Sequence, residues 1–272
     1  MGLALALASR RASEFKFAQA IRPLAAFGIL HGTHEWIEMF QKMATLTTGH
    51  TPTIFEEIVR LVILDASLLM LLLFGTWLLS PQNITNWQKY RPLLGMLGLW
   101  ALSLLIVIIT FKPPPGEIVA LADVLARYSL GIPGALLGTW ALMTQQRTFR
   151  ERDMPQFGRD LVWCAAALFL YGVVGQLFVR STLLAPTTFI NSTFFLQWFG
   201  IPVQLFRGGM AAVLTFFMIR ALRAFELESQ QQLEKANQAK LMAQAAALEA
   251  ERRISREMER LNEELRLKAR EL

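Results

Sequence analysis

The chain contains 272 residues, of which 54% are apolar, and its mean hydropathy is +0.38. This composition argues against a soluble enzyme and for a protein that folds in a lipid bilayer. The lone cysteine, Cys164, excludes a disulfide framework and a four-cysteine zinc site. The formal net charge of +6 comes partly from loops beside apolar segments, so it does not indicate a nucleic-acid partner.

The charge distribution divides the chain into a sparsely charged body and a charge-dense tail. Residues 220–272 contain 21 of the 48 charged residues. We therefore expect three parts. These are a partial helix or interfacial segment over 1–20, a transmembrane bundle over 21–220 and a cytoplasmic helix over 221–272.

The apolar stretches of the body have the length of membrane-spanning helices. About 20 apolar helical residues cross the hydrocarbon core of a bilayer, and an open strand would leave its backbone groups unsatisfied in lipid. The initial apolar run (Leu3 to Ala8) is too short to span, and its basic residues follow it, unlike those of a signal peptide. The predicted fold is an all-α integral membrane bundle with six spans: 21–43, 53–79, 93–111, 123–144, 160–180 and 195–220.

Basic residues alternate between the loops and predict the orientation. Residues 9–22 and 145–159 each carry four Lys or Arg, whereas residues 44–52 and 181–194 carry none. By the positive-inside rule both termini are cytoplasmic. The expected location is the inner (cytoplasmic) membrane.

The tail is predicted to be one long helix. Neither Gly nor Pro occurs after Met218, and strong helix formers dominate. Apolar residues recur at heptad spacing, which favours a parallel homodimeric coiled coil over a single solvated helix. The heptad positions are Ile254, Met258, Leu261, Leu265 and Leu272.

Ionisable and polar residues inside the predicted spans are candidate functional residues, since burying them in lipid is costly. In the predicted orientation they all lie in the outer half of the bilayer or near its midplane. This asymmetry predicts a polar ligand-binding or sensing pocket that opens outward. Its candidate residues are His31, His34, Glu35, Glu38, Arg60, Asp65, Arg127, Tyr128, Gln204 and Arg207.

The histidines of the first span each have a carboxylate four residues later, on the same helical face. These pairs are His31 with Glu35 and His34 with Glu38. Three interpretations stay open: a Zn, Cu or Fe site (or haem) that uses His31, His34 and Glu35, a ligand- or proton-sensing group, and structural hydrogen bonding between helices.

Near the C-terminal end of the body, Pro202 precedes Arg207 within the predicted sixth span. Such a proline kinks a helix and frees a carbonyl group, which suits a binding site that moves. The chain has no Walker motif, CxxC or HExxH, and no arguable Ser-His-Asp arrangement. We therefore expect no enzymatic activity from these 272 residues.

Three segments resemble the polytopic N-terminal sensor modules of bacterial membrane signalling proteins. They are RPLAAFGILHGTHEWIEMF (22–40), ADVLARYSLGIPGALLGTWAL (122–142) and FGIPVQLFRGGMAAVLTFFMIRALRAFELE (199–228). The resemblance implies a further span before residue 1 in a longer parent. It also implies a histidine kinase (two-component system) or diguanylate cyclase output domain after residue 272.

The preferred hypothesis is a transmembrane signal-transducing module that couples a ligand, metal or redox cofactor in the outer pocket to a cytoplasmic output domain. The expected partners are membrane lipid, a second copy of the chain and that output domain, with no nucleic acid. The alternatives are a membrane haem or metal redox protein, and a small transporter or channel with a cytoplasmic assembly helix.

Overall fold

A computed structural model describes residues 1–11, 16–81, 86–151 and 155–271. The described chain is all-α and has no named strand. Its helices, in chain order, are α1 (Gly2–Arg11), α2 (Lys16–Thr48), α3 (Ile54–Leu79), α4 (Asn86–Phe111), α5 (Pro115–Ala126), α6 (Ile132–Glu151), α7 (Pro155–Phe169), α8 (Gly175–Leu177), α9 (Ser192–Phe199) and α10 (Val203–Glu271). Two π-helical turns lie between helices: the first π-turn (Arg127–Gly131) and the second π-turn (Leu170–Val174).

The chain forms two compact units, Met1–Ala224 and Phe225–Leu272. In the first unit, α3 packs against α2 on one side and α6 on the other, and α6 packs against α7. Because α3 is surrounded in this way, its residues from Leu64 to Phe74 supply much of the buried core. The predicted segment 1–20 contains parts of two helices, because α1 ends at Arg11 and α2 already begins at Lys16.

Within the described residues, five helical segments are long and apolar enough to cross a membrane. They are Ile54–Leu79, Tyr90–Phe111, Pro115–Arg147, Gly158–Leu177 and Val203–Arg223. The second of these, Tyr90–Phe111, buries almost none of its side chains inside the protein, with Val107 as the exception, so the others need an apolar surrounding. These helices indicate a multi-pass membrane protein. The predicted first span lies within α2, which is not among the five, because the same stretch carries two histidines and two glutamates.

Glycines allow α3 and α6 to approach closely. A Cβ placed on Gly75 would lie 2.8 Å from the backbone nitrogen of Gly138. Helix association in lipid relies on such small residues, since lipid tails provide no hydrophobic driving force between helices. This contact fixes α6 beside α3, and with it the first π-turn that precedes α6.

The prediction of one sixth span over 195–220 is wrong at its beginning. A separate helix, α9, ends at Phe199 and is capped by Gly200. The φ of Gly200 is +68°, a left-handed conformation that suits glycine. The next helix starts at Val203, directly after Pro202. Pro202 therefore lies in the break between two helices and does not kink a continuous one, because proline cannot donate a backbone hydrogen bond.

The second unit consists of the C-terminal part of α10. Its apolar side chains are exposed in the described chain, including Ile254 at 65%, Met258 at 62% and Leu261 at 54%. The helix is as predicted, whereas the coiled coil and the homodimer stay predictions. Leu272, the last predicted heptad position, lies outside the described residues.

Candidate functional site

The polar side chains of α2 lie on one face because they recur at helical spacing. His31, His34, Glu35 and Glu38 are separated by three or four residues, so they occupy two adjacent turns. Both histidines are buried, with 2% of His31 and none of His34 exposed to solvent. Buried polar groups in a bundle need partners, and α3, the first π-turn and α10 provide them.

The Arg127 side chain contacts polar side chains of three helices, α2, α5 and α8. It begins the first π-turn and is 4% exposed. Its Nε donates a hydrogen bond to Asp123 Oδ1 at 2.6 Å, and one terminal nitrogen donates to Gln176 Oε1 at 2.8 Å. The other terminal nitrogen lies 3.1 Å from His34 Nε2. Each of the three nitrogens of the buried guanidinium group therefore has a polar partner.

These contacts determine the protonation pattern of His34. A guanidinium group only donates hydrogen bonds, so His34 Nε2 accepts from Arg127. The proton of the neutral ring is then on Nδ1, which donates to the backbone carbonyl of Arg60 at 3.2 Å. Glu38 lies 3.6 Å from His34 Nε2. A proton on His34 Nε2 would, however, lie against an N–H group of Arg127, and two donors cannot bond to each other. Through both ring nitrogens, His34 connects α2 to α3 and to the first π-turn.

His31 has one satisfied nitrogen and one without a partner. The Ser67 hydroxyl donates to the Leu64 carbonyl at 2.6 Å, so its oxygen accepts from His31 Nδ1 at 3.0 Å. The other nitrogen, Nε2, lies 3.5 Å from Glu35 Oε1, and neither atom has a hydrogen bond of good geometry in the described chain. When His31 is neutral with its proton on Nδ1, His31 Nε2 and Glu35 Oε1 are both acceptors, so no proton lies between them.

Glu35 and Arg207 connect α2 to the first turns of α10. Arg207 is 6% exposed, and one of its terminal nitrogens lies 2.9 Å from Glu35 Oε1. That nitrogen and Arg207 Nε have no hydrogen bond of good geometry among the described residues. A Cβ placed on Gly175 would lie 2.7 Å from Arg207 Cγ, so the glycine provides the space in which this side chain lies.

A cavity of about 550 Å³ lies beside this ion pair. Its polar side is formed by His31, Glu35, Glu38, Lys42, Gln204 and Arg207. Its apolar side is formed by Phe27, Trp36, Met39, Tyr171, Pro202 and Ala211, with glycines at 28, 32 and 208. Its size and mixed lining are typical of sites for small organic molecules.

A second cavity of about 140 Å³ lies among charged groups. Glu38, Gln204 and Arg207 line both cavities, and Arg60 and Arg127 line the smaller one only. The two cavities therefore share a wall of polar side chains. This wall belongs to α2 and to the N-terminal turns of α10.

The structure brings most of the predicted site residues together. Seven of the ten line at least one of the two cavities. The other three do not line either cavity. His34 contacts Arg127 and the Arg60 carbonyl, Asp65 Oδ1 is buried without a hydrogen-bond partner in the described chain, and the Tyr128 hydroxyl donates to the Leu177 carbonyl at 3.1 Å. Arg60 also donates to Gln41 Oε1 at 2.8 Å, which adds a third hydrogen bond between α2 and α3.

Among the described residues, one group of three side chains could share a metal ion: His34, Glu35 and Glu38, with ligand atoms within 4.8 Å of one another. The predicted set was His31, His34 and Glu35. Each member of the observed group faces a cation: His34 faces Arg127, Glu35 faces Arg207, and Glu38 contacts Lys42 Nζ at 2.6 Å. These cations compete with a metal ion for the same lone pairs. The metal site stays a prediction.

The sequence analysis does not select several residues that complete the site, among them Ser67, Tyr171 and Gly175. The i, i+4 spacing of Asp123 and Arg127 is a signal from which their ion pair could have been predicted, and Gln176 is a polar residue in a predicted span. Ser67 and Gly175 gave no signal, since small residues are common wherever membrane helices pack.

The chain was compared with protein-family models, curated proteins and solved structures. None of them matches.

Proposed function

We propose that this protein is a transmembrane sensory module in which a small molecule in the larger cavity changes the packing of α10 against α2. The observation that carries this proposal is the Glu35–Arg207 ion pair at the cavity wall. Arg207 lies in the first turns of a helix that continues unbroken to Glu271. A ligand that separates Glu35 from Arg207 therefore acts directly on the helix that forms the tail.

The polar wall gives the module two alternative packings to select between. A ligand shifts such an equilibrium only as far as it binds one state more tightly than the other. With the ion pair closed, Arg207 Nε and the terminal nitrogen beside Glu35 lack good hydrogen bonds. The closed state is therefore incompletely satisfied, and a bound polar group that completes these bonds would favour an opened state.

The proposal includes the finer membrane arrangement. With α2 as a sixth span, both termini lie in the cytoplasm and the protein resides in the inner membrane, as the loop charges predict. The exposed apolar side chains of Ile254, Met258 and Leu261 pack against a second copy in a parallel coiled coil. This dimer controls a cytoplasmic output domain of the kinase or cyclase type.

The test measures whether the tail transmits rotation. A histidine kinase output domain is fused after residue 272, and one to seven alanines are inserted between Gln244 and Ala245. Each residue rotates the following helix by about 100°, so basal kinase output should vary periodically with insert length. Output that is flat, or that only declines with length, would contradict the proposal. Seven alanines restore the heptad phase and should return output close to that without an insertion.

A further inference from the structure

The side chains around the larger cavity leave an unusual set of atoms without hydrogen bonds. Arg207 and His31 are both more than nine-tenths buried and both line the cavity. Two nitrogens of Arg207 offer donors, while His31 Nε2 and Glu35 Oε1 offer acceptors. Arg207 and Glu35 form an ion pair at 2.9 Å, but none of the four atoms has a hydrogen bond of good geometry in the described chain. Buried polar atoms without partners are rare in native proteins. One polar group that both accepts and donates would satisfy this set.

The charges of the cavity wall favour a neutral occupant. The ionised side chains that line the cavity are Glu35, Glu38, Lys42 and Arg207, and they pair with one another as Glu35–Arg207 and Glu38–Lys42. An anion would face the two carboxylates and a cation would face the two basic groups. A charged ligand would also lose its hydration without gaining an unpaired counter-charge. The favoured polar group is therefore an uncharged hydroxyl.

The apolar part of the cavity has the lining that suits a flat ring. The rings of Phe27, His31 and Tyr171 form a cluster with centroid distances of 5.2 Å, 5.8 Å and 5.9 Å. Trp36 lines the same cavity and is 65% exposed, so one side of the cavity lies at the protein surface. Aromatic side chains at such distances accept further rings in edge-on or offset arrangements.

We propose that the larger cavity binds a neutral aromatic molecule that carries a hydroxyl group, that is, a phenol or a hydroquinone. The ring lies against Phe27 and Tyr171. The hydroxyl oxygen accepts a hydrogen bond from Arg207, and its proton is donated to His31 Nε2. A small opening of the Glu35–Arg207 contact admits the oxygen, so binding moves α10 relative to α2. This assignment rests on the proposed function, because it names the ligand class of the same site.

The experiment measures binding to the full chain in lipid nanodiscs. Tritiated 4-butylphenol is the probe in a scintillation proximity assay, with empty nanodiscs to correct for partition into lipid. Unlabelled 4-butylphenol should compete about tenfold better than 4-butylanisole, which keeps the acceptor oxygen but lacks the donor proton. It should likewise exceed 4-butylbenzoate, which is anionic. Equal competition by the anisole, or stronger competition by the benzoate, would overturn the assignment.

Two variants place the binding in this cavity. Ala211→Phe fills the cavity without changing its polar groups and should abolish saturable binding. Glu35→Gln combined with Arg207→Gln removes both charges together, so neither is left buried alone, and should weaken binding about tenfold. Arg252→Gln makes the same arginine substitution at an exposed position of the second unit and should leave binding unchanged. Binding that persists in Ala211→Phe would place the ligand elsewhere and overturn the proposal.

A further comparison distinguishes a membrane hydroquinone from a free phenol, since both carry a hydroxyl group on an aromatic ring. Decylubiquinol that competes better than 4-butylphenol identifies a membrane hydroquinone as the ligand, and the reverse order identifies a free phenol. Decylubiquinone has no hydroxyl proton on its ring, so competition as strong as that of decylubiquinol would contradict the hydroxyl assignment. The assay contains no fused output domain. Failure to bind phenols would therefore refute this ligand class and leave the insertion series as a separate test of signalling.

Discussion

Gly175 lies against the aliphatic part of Arg207, and no side chain fits between them. A Cβ at position 175 would approach Arg207 Cγ to 2.7 Å and Cδ to 3.2 Å. The glycine thus determines where the guanidinium meets Glu35. Because Gly175 directly follows the second π-turn, the helix irregularity and the ion pair belong to one arrangement.

The first prediction concerns this glycine. Gly175→Ala should displace Arg207 and destabilise the protein by about 1–3 kcal/mol, as overpacking of a tight contact does. Thermal unfolding in detergent measures the effect. Gly209→Ala is the matched control, since a Cβ there meets no atom within 4 Å. The control should be neutral or slightly stabilising, because alanine favours helix more than glycine does. Equal effects of both substitutions would contradict the assigned role of Gly175.

Arg127 carries the second prediction. Arg127→Met leaves the Asp123 carboxylate without its 2.6 Å partner and should cost about 3–5 kcal/mol of unfolding free energy. The double variant Asp123→Asn/Arg127→Met leaves no unpaired charge, so it should recover part of this loss. Reversible denaturant unfolding in micelles measures both variants, with Arg252→Met as the exposed control. A double variant that is less stable than the single one would show that Asp123 is stabilised by another group.

The sequence predicts the parts of this site that depend on helical spacing. His31, His34, Glu35 and Glu38 share a face because of their numbering alone, and the bundle does bring them to Arg127 and Arg207. Likewise, length and hydropathy predict most of the membrane-crossing helices, since crossing a bilayer is a local property of a segment.

The rest depends on packing that no local pattern encodes. The two π-turns arise where α3, α6 and the following helices pack, and neither segment has a distinctive composition. The sequence does not show the break after Gly200, because Pro202 fits either a kink or a helix boundary, and only the left-handed conformation at Gly200 decides between them. Ser67 becomes significant only once His31 is placed beside it.

The third prediction concerns the histidine tautomers. The contacts with Arg127 and Ser67 put the proton of each neutral ring on Nδ1, in both His31 and His34. Nitrogen-15 NMR of histidine-labelled protein in nanodiscs distinguishes the two tautomers by the shifts of their ring nitrogens. His34→Gln identifies the His34 signals. A protonated Nε2 in His34 would mean that Arg127 is oriented differently from the structure described above.

Metal analysis provides the fourth prediction. Because Arg127, Arg207 and Lys42 already face the ligand atoms of His34, Glu35 and Glu38, purified protein should contain much less than one transition metal ion per chain. Elemental analysis after exposure to Zn²⁺ measures this, with His31→Ala and His34→Ala alongside. Stoichiometric metal that is lost in either variant would favour the metal-sensor alternative.

The most direct test of the account is the coupling between positions 35 and 207 in signal output. In the kinase fusion, Glu35→Gln and Arg207→Gln each break the same contact, so each alone should shift basal output in the same direction. The double variant should shift output no further than either single one, because the contact is already lost. Independent, additive effects of the two substitutions would show that the Glu35–Arg207 contact does not control α10.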